Sequence, residues 1–137
     1  KAFAKIGTDW IDDVRGHILV NVVRNGIKYH EFHKIKTILP YEAQDWATFL
    51  GVTKRTLERY HEENKVFKPQ QSEKIVEISQ LSNKGLDVFG SRANFNSWLH
   101  SKNVALGNVT PISLLDTNIG ITMVNDELTR IEHGIFA

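Results

Sequence analysis

The sequence has no cysteine. That excludes disulfides and thiolate metal sites, and it suits a reducing, cytoplasmic setting. No apolar run approaches the roughly 18 residues that a membrane span needs, so no membrane partner is expected. No signal peptide is visible, although a start at Lys1 without Met predicts that something has been lost or trimmed. Net charge is nearly absent: 17 Lys and Arg face 16 Asp and Glu, a formal +1, so bulk electrostatics does not announce a nucleic-acid binder. The glycines never cluster into a phosphate-cradling loop. No Ser or Thr stands with a His and a carboxylate in a recognisable catalytic motif. Asp12 and Asp13 point apart as sequence neighbours and have no third group beside them. No catalytic residue and no enzymatic activity are expected.

What remains is an ordinary globular composition. With 137 residues, 41% hydrophobic and 24% charged, the chain suffices for one domain or two small ones. Charge is uneven along it. Arg24, Lys28, Lys34 and Lys36 face only Glu31 between Arg24 and Pro40, whereas Lys102 and Arg130 face Asp116, Asp126, Glu127 and Glu132 from Ser101 onward. A basic front and an acidic rear fit two different partners, and they equally fit ordinary solvated faces.

Near the start, Trp10, Ile11 and Val14 form at most a short amphipathic turn. His17 to Val23 is an apolar, β-branched run whose length suits either a strand or a buried helix. Gly26 breaks it. Tyr29, Phe32, Ile35, Ile38 and Leu39 then follow helical spacing, with Pro40 as the stop. His30 and His33 share that helix, but H-E-x-x-H metal helices place the pair one residue further apart and use a third ligand. No metal site is expected there, and the pair reads as a solvated helix face.

Tyr41 to Asn64 reads as helix, tight turn, helix. Ala43, Trp46, Ala47 and Leu50 make the apolar face of the first helix, and Gly51 sits where φ must turn positive. Val52 plugs the turn, Thr53 caps the second helix, and Leu57 and Tyr60 continue its inward face. A small residue at closest approach, Gly in the turn and an apolar residue returning to the core are the features of a helix-turn-helix. In that reading the second helix enters the major groove. Thr53, Lys54, Arg55, Thr56 and Arg59 are the candidate DNA contacts, to base edges or phosphates. Glu58, Glu62 and Glu63 oppose binding unless they point out of the groove. Acids and bases balance over Tyr41–Gln70, so one copy would bind DNA weakly and a dimer better. A helical hairpin without a DNA role remains the alternative.

Pro69 to Leu81 predicts another helix, with Ser72 as a possible cap and Ile75, Ile78 and Leu81 facing inward. Ser82, Asn83, Lys84 and Gly85 read as a hinge. Beyond it, Trp98 beside Phe95 and Leu99 is expected to pack in a core. Thr110-Pro111 reads as a helix start. A last helix is expected over Ile121–His133 on Val124, Leu128 and Ile131, with Thr117 and Asn118 capping it, Gly120 in the preceding turn and Gly134 in a left-handed C-cap. The chain then ends on Ile135, Phe136 and Ala137. Large apolar residues on a tail either fold back on their own domain or anchor a partner.

The landmarks in order are Val23-Arg24-Asn25-Gly26, Thr56-Leu57-Glu58-Arg59, Phe89-Gly90, Trp98-Leu99, Ala105-Leu106-Gly107, Thr110-Pro111, Leu114-Leu115-Asp116-Thr117, Gly120, Val124 and Arg130-Ile131-Glu132-His133-Gly134-Ile135-Phe136. Together, from about Val23 to Ala137, they resemble the Xre/ParS-type antitoxins of bacterial RES–Xre toxin–antitoxin modules. The resemblance implies a mainly α protein with an Xre-like helix-turn-helix domain over 23–85 and a small helical toxin-binding domain over 86–137; residues 1–22 form an N-terminal segment ahead of it, where the apolar run His17–Val23, in need of cover, offers a dimer contact. It implies a homodimer that binds operator DNA and represses its own operon. The implied protein partner is a RES-domain toxin that consumes NAD⁺, with no cofactor on the antitoxin itself. Toxin contacts would fall on Arg130, Glu132, His133, Gly134, Ile135, Phe136 and Ala137, with the tail plugging the toxin's active-site cleft. Three departures stand out, the first being that the Pro usual near Lys102 is missing. Gly107-Asn108 replaces the usual Gly-Gly, which Asn tolerates at left-handed φ, and Arg59-Tyr60 replaces two basic residues. A plain helix-turn-helix repressor with a C-terminal ligand-sensing or dimerisation domain is the second reading.

Overall fold

The structure, a computed structural model, describes residues 16–134. The turn expected around Trp10, Ile11 and Val14, the pair Asp12-Asp13 and the tail Ile135-Phe136-Ala137 lie outside the described residues. Within them the chain is mainly α, with no strand. The helices are α1 (Gly16–Asn25), α2 (Tyr29–Ile38), α3 (Ala43–Leu50), α4 (Lys54–Glu63), α5 (Pro69–Phe89), α6 (Arg92–Leu99) and α7 (Asn118–Gly134), with 3₁₀ turns at Val104–Leu106 and Pro111–Leu114. No helix among the described residues is long and apolar enough to cross a membrane. The chain divides into two compact units, one ending at Gln80 and one starting at Leu81.

The first unit is built on aromatic packing. Phe32 is fully buried, with edge-to-face contacts to Trp46 at 5.0 Å and Phe67 at 5.1 Å. Tyr41 and Phe49 close the same cluster around Trp46. Such geometry lets ring edges meet ring faces, which favours each pair beyond the area it buries. Ser72, expected to cap α5, is instead buried: its hydroxyl accepts the Ile27 N–H at 2.9 Å and donates to the Phe67 carbonyl at 3.4 Å. A buried backbone N–H needs a partner, and Ser72 supplies one for the loop before α2. Gln71 takes the capping role, accepting the Lys68 N–H at 3.0 Å. His30 and His33 are exposed on α2, and the His33 ring stacks on His61 at 5.7 Å.

The run His17–Val23 is helical rather than extended, yet α1 buries none of its residues. Leu19, Val20 and Val23 line a groove with Val76 and Glu77 of α5. Burial pushes the Glu77 carboxyl up, nearby Glu73 adds to this, and Lys74 opposes it.

In the second unit, residues 82–85 are part of α5, not a hinge. Ser82 and Asn83 are buried, and Gly85 faces the Phe95 ring so closely that an added Cβ would overlap it. The small residues make room for packing here. Phe89, Phe95 and Trp98 form an aromatic row, with Phe89 and Trp98 only half-buried. Gly107 and Asn108 both take positive φ, 89° and 63°, so the Asn does stand in a left-handed turn. Helix α7 starts three residues earlier than its periodicity predicts. The Thr117 hydroxyl accepts the Gly120 N–H at 2.9 Å, which places Gly120 inside the first turn. Ile121, Val124 and Leu128 face the core. Gly134 is the last helical residue and has no positive φ, so the expected left-handed cap is absent there.

Candidate functional site

Two side-chain constellations stand out, one in each unit. The first is α4 and the turn before it. Gly51 ends α3 in the left-handed region at φ 70°, where open space surrounds it and only the backbone geometry calls for glycine. The chain turns through Val52, whose N–H donates to the Ala47 carbonyl at 3.0 Å, and Thr53 caps α4 by accepting the Thr56 N–H at 3.1 Å. The Thr53 hydroxyl also donates to the Thr56 hydroxyl at 3.0 Å. Leu57 and Tyr60 are buried, so the outward side of α4 is fixed.

That outward side brings most of the predicted DNA-contact set together. Thr53, Arg55, Thr56 and Arg59 line one open polar depression, and Lys54 is exposed beside it. Glu58 and Glu62 line the same depression. Residues 55, 58, 59 and 62 sit at i, i+3, i+4 and i+7, a single helical face. The acids therefore accompany the bases instead of pointing away. This face can meet an anionic backbone through Arg55 and Arg59, but Glu58 and Glu62 weaken its pull.

The second constellation sits on α7. Glu127, which the sequence reading passed over, is buried at 7% exposure. It accepts two hydrogen bonds from Arg130, from Nε at 2.8 Å and Nη2 at 2.7 Å, and one from Asn103 Nδ2 at 3.3 Å. A bidentate guanidinium–carboxylate pair fixes orientation as well as charge. Asn103 also anchors the turn after it, accepting the Leu106 N–H at 3.1 Å through its side chain. The Arg130 guanidinium holds the Glu127 carboxyl below the usual carboxylate range; burial opposes this, and Asn103 adds a smaller lowering. Arg130 itself stays 58% exposed. Of the other predicted toxin contacts, Glu132 and His133 approach each other at 3.3 Å on the surface, and Gly134 closes the helix.

The sign of the Glu127 shift sets a pH dependence. A carboxyl whose folded pKa lies below its unfolded one contributes stability that is fully present above the unfolded value and disappears as pH falls through the folded value. Wild type should therefore melt above Glu127→Gln at neutral pH. The gap should close as pH drops below about 4, the range in which an unfolded Glu titrates. Thermal unfolding of both chains from pH 7 to 3 measures it.

Comparison with known proteins bears on the second unit. Residues 84–134 match the family described as the antitoxin Xre/MbcA/ParS C-terminal toxin-binding domain. An antitoxin Xre of Photorhabdus laumondii is 31% identical over 101 residues, covering 67% of this chain and 68% of that protein. An antitoxin Xre of Yersinia enterocolitica is 27% identical over 124 residues, 90% of this chain and 84% of that one. A Prs ADP-ribosylating antitoxin of a Sphingobium species is 24% identical over 127 residues, 86% and 80% respectively. The buried spine of α7 and the turn tied to it by Asn103 both lie inside the matched stretch, and this chain belongs to the Xre antitoxins, the antitoxin of a toxin–antitoxin system with its toxin-binding domain over residues 84–134.

Proposed function

We propose that this antitoxin neutralises a RES-domain, NAD⁺-degrading toxin by placing the segment after α7 in the toxin's active-site cleft, and that it binds its own operator as a homodimer to repress the operon. The match of residues 84–134 to a toxin-binding domain carries the reading. Helix α7 runs to Gly134 and leads directly into Ile135-Phe136-Ala137, two large apolar residues and a small one. A cleft that receives them loses water and substrate together. Glu132 and His133 stand at the mouth of such a plug, where an acid can meet the cations that hold nucleotide phosphates. The name of the Sphingobium relative points to ADP-ribosylation, a reaction that consumes NAD⁺. The antitoxin acts by occupation and needs neither catalysis nor cofactor.

Co-purification with the product of the neighbouring gene, followed by an NAD⁺-consumption assay, tests this reading. The full chain should form a silent complex. A chain lacking Gly134–Ala137 should still bind through the remainder of its toxin-binding domain, yet leave NAD⁺ consumption running. No complex, together with retention of promoter DNA by the antitoxin alone, would favour the plain repressor.

The proposed DNA binding rests on Arg55 and Arg59 in the α4 depression, and the apolar residues of α1, of which Ile18 and Val20 stay exposed, support a second copy of the chain as dimer partner. Arg55→Ala with Arg59→Ala should lower operator affinity roughly tenfold or more and flatten its salt dependence, with toxin neutralisation unchanged. Glu58→Gln with Glu62→Gln should move affinity the other way. Titrations at two salt concentrations read both, and an unchanged affinity in the first variant would remove α4 as the reading helix.

A further inference from the structure

The outward side of α7 is left unused by a tail-only mechanism. Ile119, Met123, Asp126, Arg130 and His133 recur at i, i+4, i+7, i+11 and i+14, one stripe along the helix, while Ile121, Val124 and Leu128 hold the buried side. Ile119 is 77% exposed and Met123 is 40% exposed. Alongside, the Val104–Leu106 turn is fastened to α7 by Asn103 and Glu127, and Val104 is 86% exposed. Single exposed aliphatics are ordinary, but several gathered on one helix side and on the turn tied to it mark an interaction surface. The stripe changes character along its length, aliphatic at the start of α7 and ionic near its end.

The ionic end is held in place. Glu127 takes the Nε and Nη2 donors of Arg130. A guanidinium carries five N–H donors, so the outer edge formed by Nη1 and Nη2 stays available to accept a carboxylate side by side. Glu127 thereby removes rotamer freedom that a free Arg would lose on binding.

We propose that this stripe is a second docking surface for the toxin: Ile119, Met123 and Val104 receive an aliphatic patch, and Arg130, oriented by Glu127, receives a carboxylate at its border. The inference rests on the toxin-binding reading above. The toxin is the occupant because the surface lies wholly within the matched toxin-binding domain and follows the helix that leads into the proposed plug. One partner contacting both would gain the affinity of a broad interface and the inhibition of a short one. Glu127 is a positioning residue in this scheme, acting through Arg130.

The test uses the full chain and the toxin encoded by the neighbouring gene. Ile119→Ser with Met123→Ser alters only exposed side chains, so its thermal unfolding should match wild type. Its Kd for the toxin should rise at least about tenfold, the scale of a central contact truncated. Arg130→Ala should weaken binding as well. Glu127→Gln should weaken it in the wild-type background and have no further effect in the Arg130→Ala background, a non-additivity that loss of packing alone would not produce. A serine variant with unchanged toxin affinity overturns the proposal. So does one that loses only self-association, which would give the stripe to a second copy, or additive effects of Glu127 and Arg130. If wild type itself fails to bind that toxin while retaining promoter DNA, the partner assignment has failed and the stripe falls with it; if wild type binds and the variants do also, the stripe alone has failed.

Discussion

Gly120→Ala should cripple the toxin-binding unit, with a loss of about 3 kcal/mol, the upper part of the range for overpacking a rigid site. The substitution normally does the reverse: Ala stabilises a helix interior by about 1 kcal/mol over Gly. The sign changes here because Gly120 is buried in the first turn of α7, against the end of the preceding 3₁₀ turn. An added Cβ would overlap the Leu114 carbonyl oxygen, meet its carbonyl carbon at 2.8 Å and touch the Thr117 hydroxyl at 3.0 Å. None of these can yield easily. The first two are backbone, and the third is the cap that accepts the Gly120 N–H. Gly134 supplies the control, since it is helical with open space around it, and Gly134→Ala should leave stability level or raise it. Urea unfolding of the two variants beside wild type measures the difference. A stabilised Gly120→Ala chain would mean that α7 does not start against Leu114.

Much of this architecture is legible in the sequence. Tyr29, Phe32, Ile35 and Leu39 announce α2 because strict periodicity leaves one interpretation. Gly51 and Thr53 locate the turn and the cap because φ > 0 and an N-cap oxygen are demands that few residues meet. Small residues are harder. Ser82-Asn83-Lys84-Gly85 has the composition of a hinge, and only the Phe95 ring brought against Gly85 shows that smallness there serves close packing. Gly120 is similar, read as a turn residue when its role is to admit the Leu114 carbonyl. Glu127 was hidden by its neighbours, since Asn125-Asp126-Glu127 reads as one solvated edge of a helix, and its burial depends on Asn103 arriving from 24 residues away. The spacing to Arg130, three residues on, was the available signal. On α4 the mixed face of Arg55, Glu58, Arg59 and Glu62 follows from helical spacing alone, so that conflict of charges is already present in the sequence.

Phe32→Ala should be the most damaging change in the first unit, costing about 3–5 kcal/mol. The ring is completely buried and touches Tyr29, Trp46 and Phe67 at centroid distances of 5.3, 5.0 and 5.1 Å. Removing it leaves a cavity lined by three large rings that cannot all collapse inward. Small domains have about 5–15 kcal/mol in total, so one such loss can leave α4 without a fixed platform. Under the proposed DNA role, operator binding should then disappear, because Arg55 and Arg59 could meet a phosphate backbone in register only if α4 is held at one angle. Toxin binding should persist, since residues 84–134 contain the matched domain. Phe32→Leu, which fills most of the volume, should recover much of the DNA binding. Gly120→Ala predicts the opposite division, with operator binding kept and toxin binding lost. Running both variants through operator titration and toxin co-purification therefore asks whether the two activities reside in separate units. If each variant loses both activities, the assignment of the two roles to separate units is wrong.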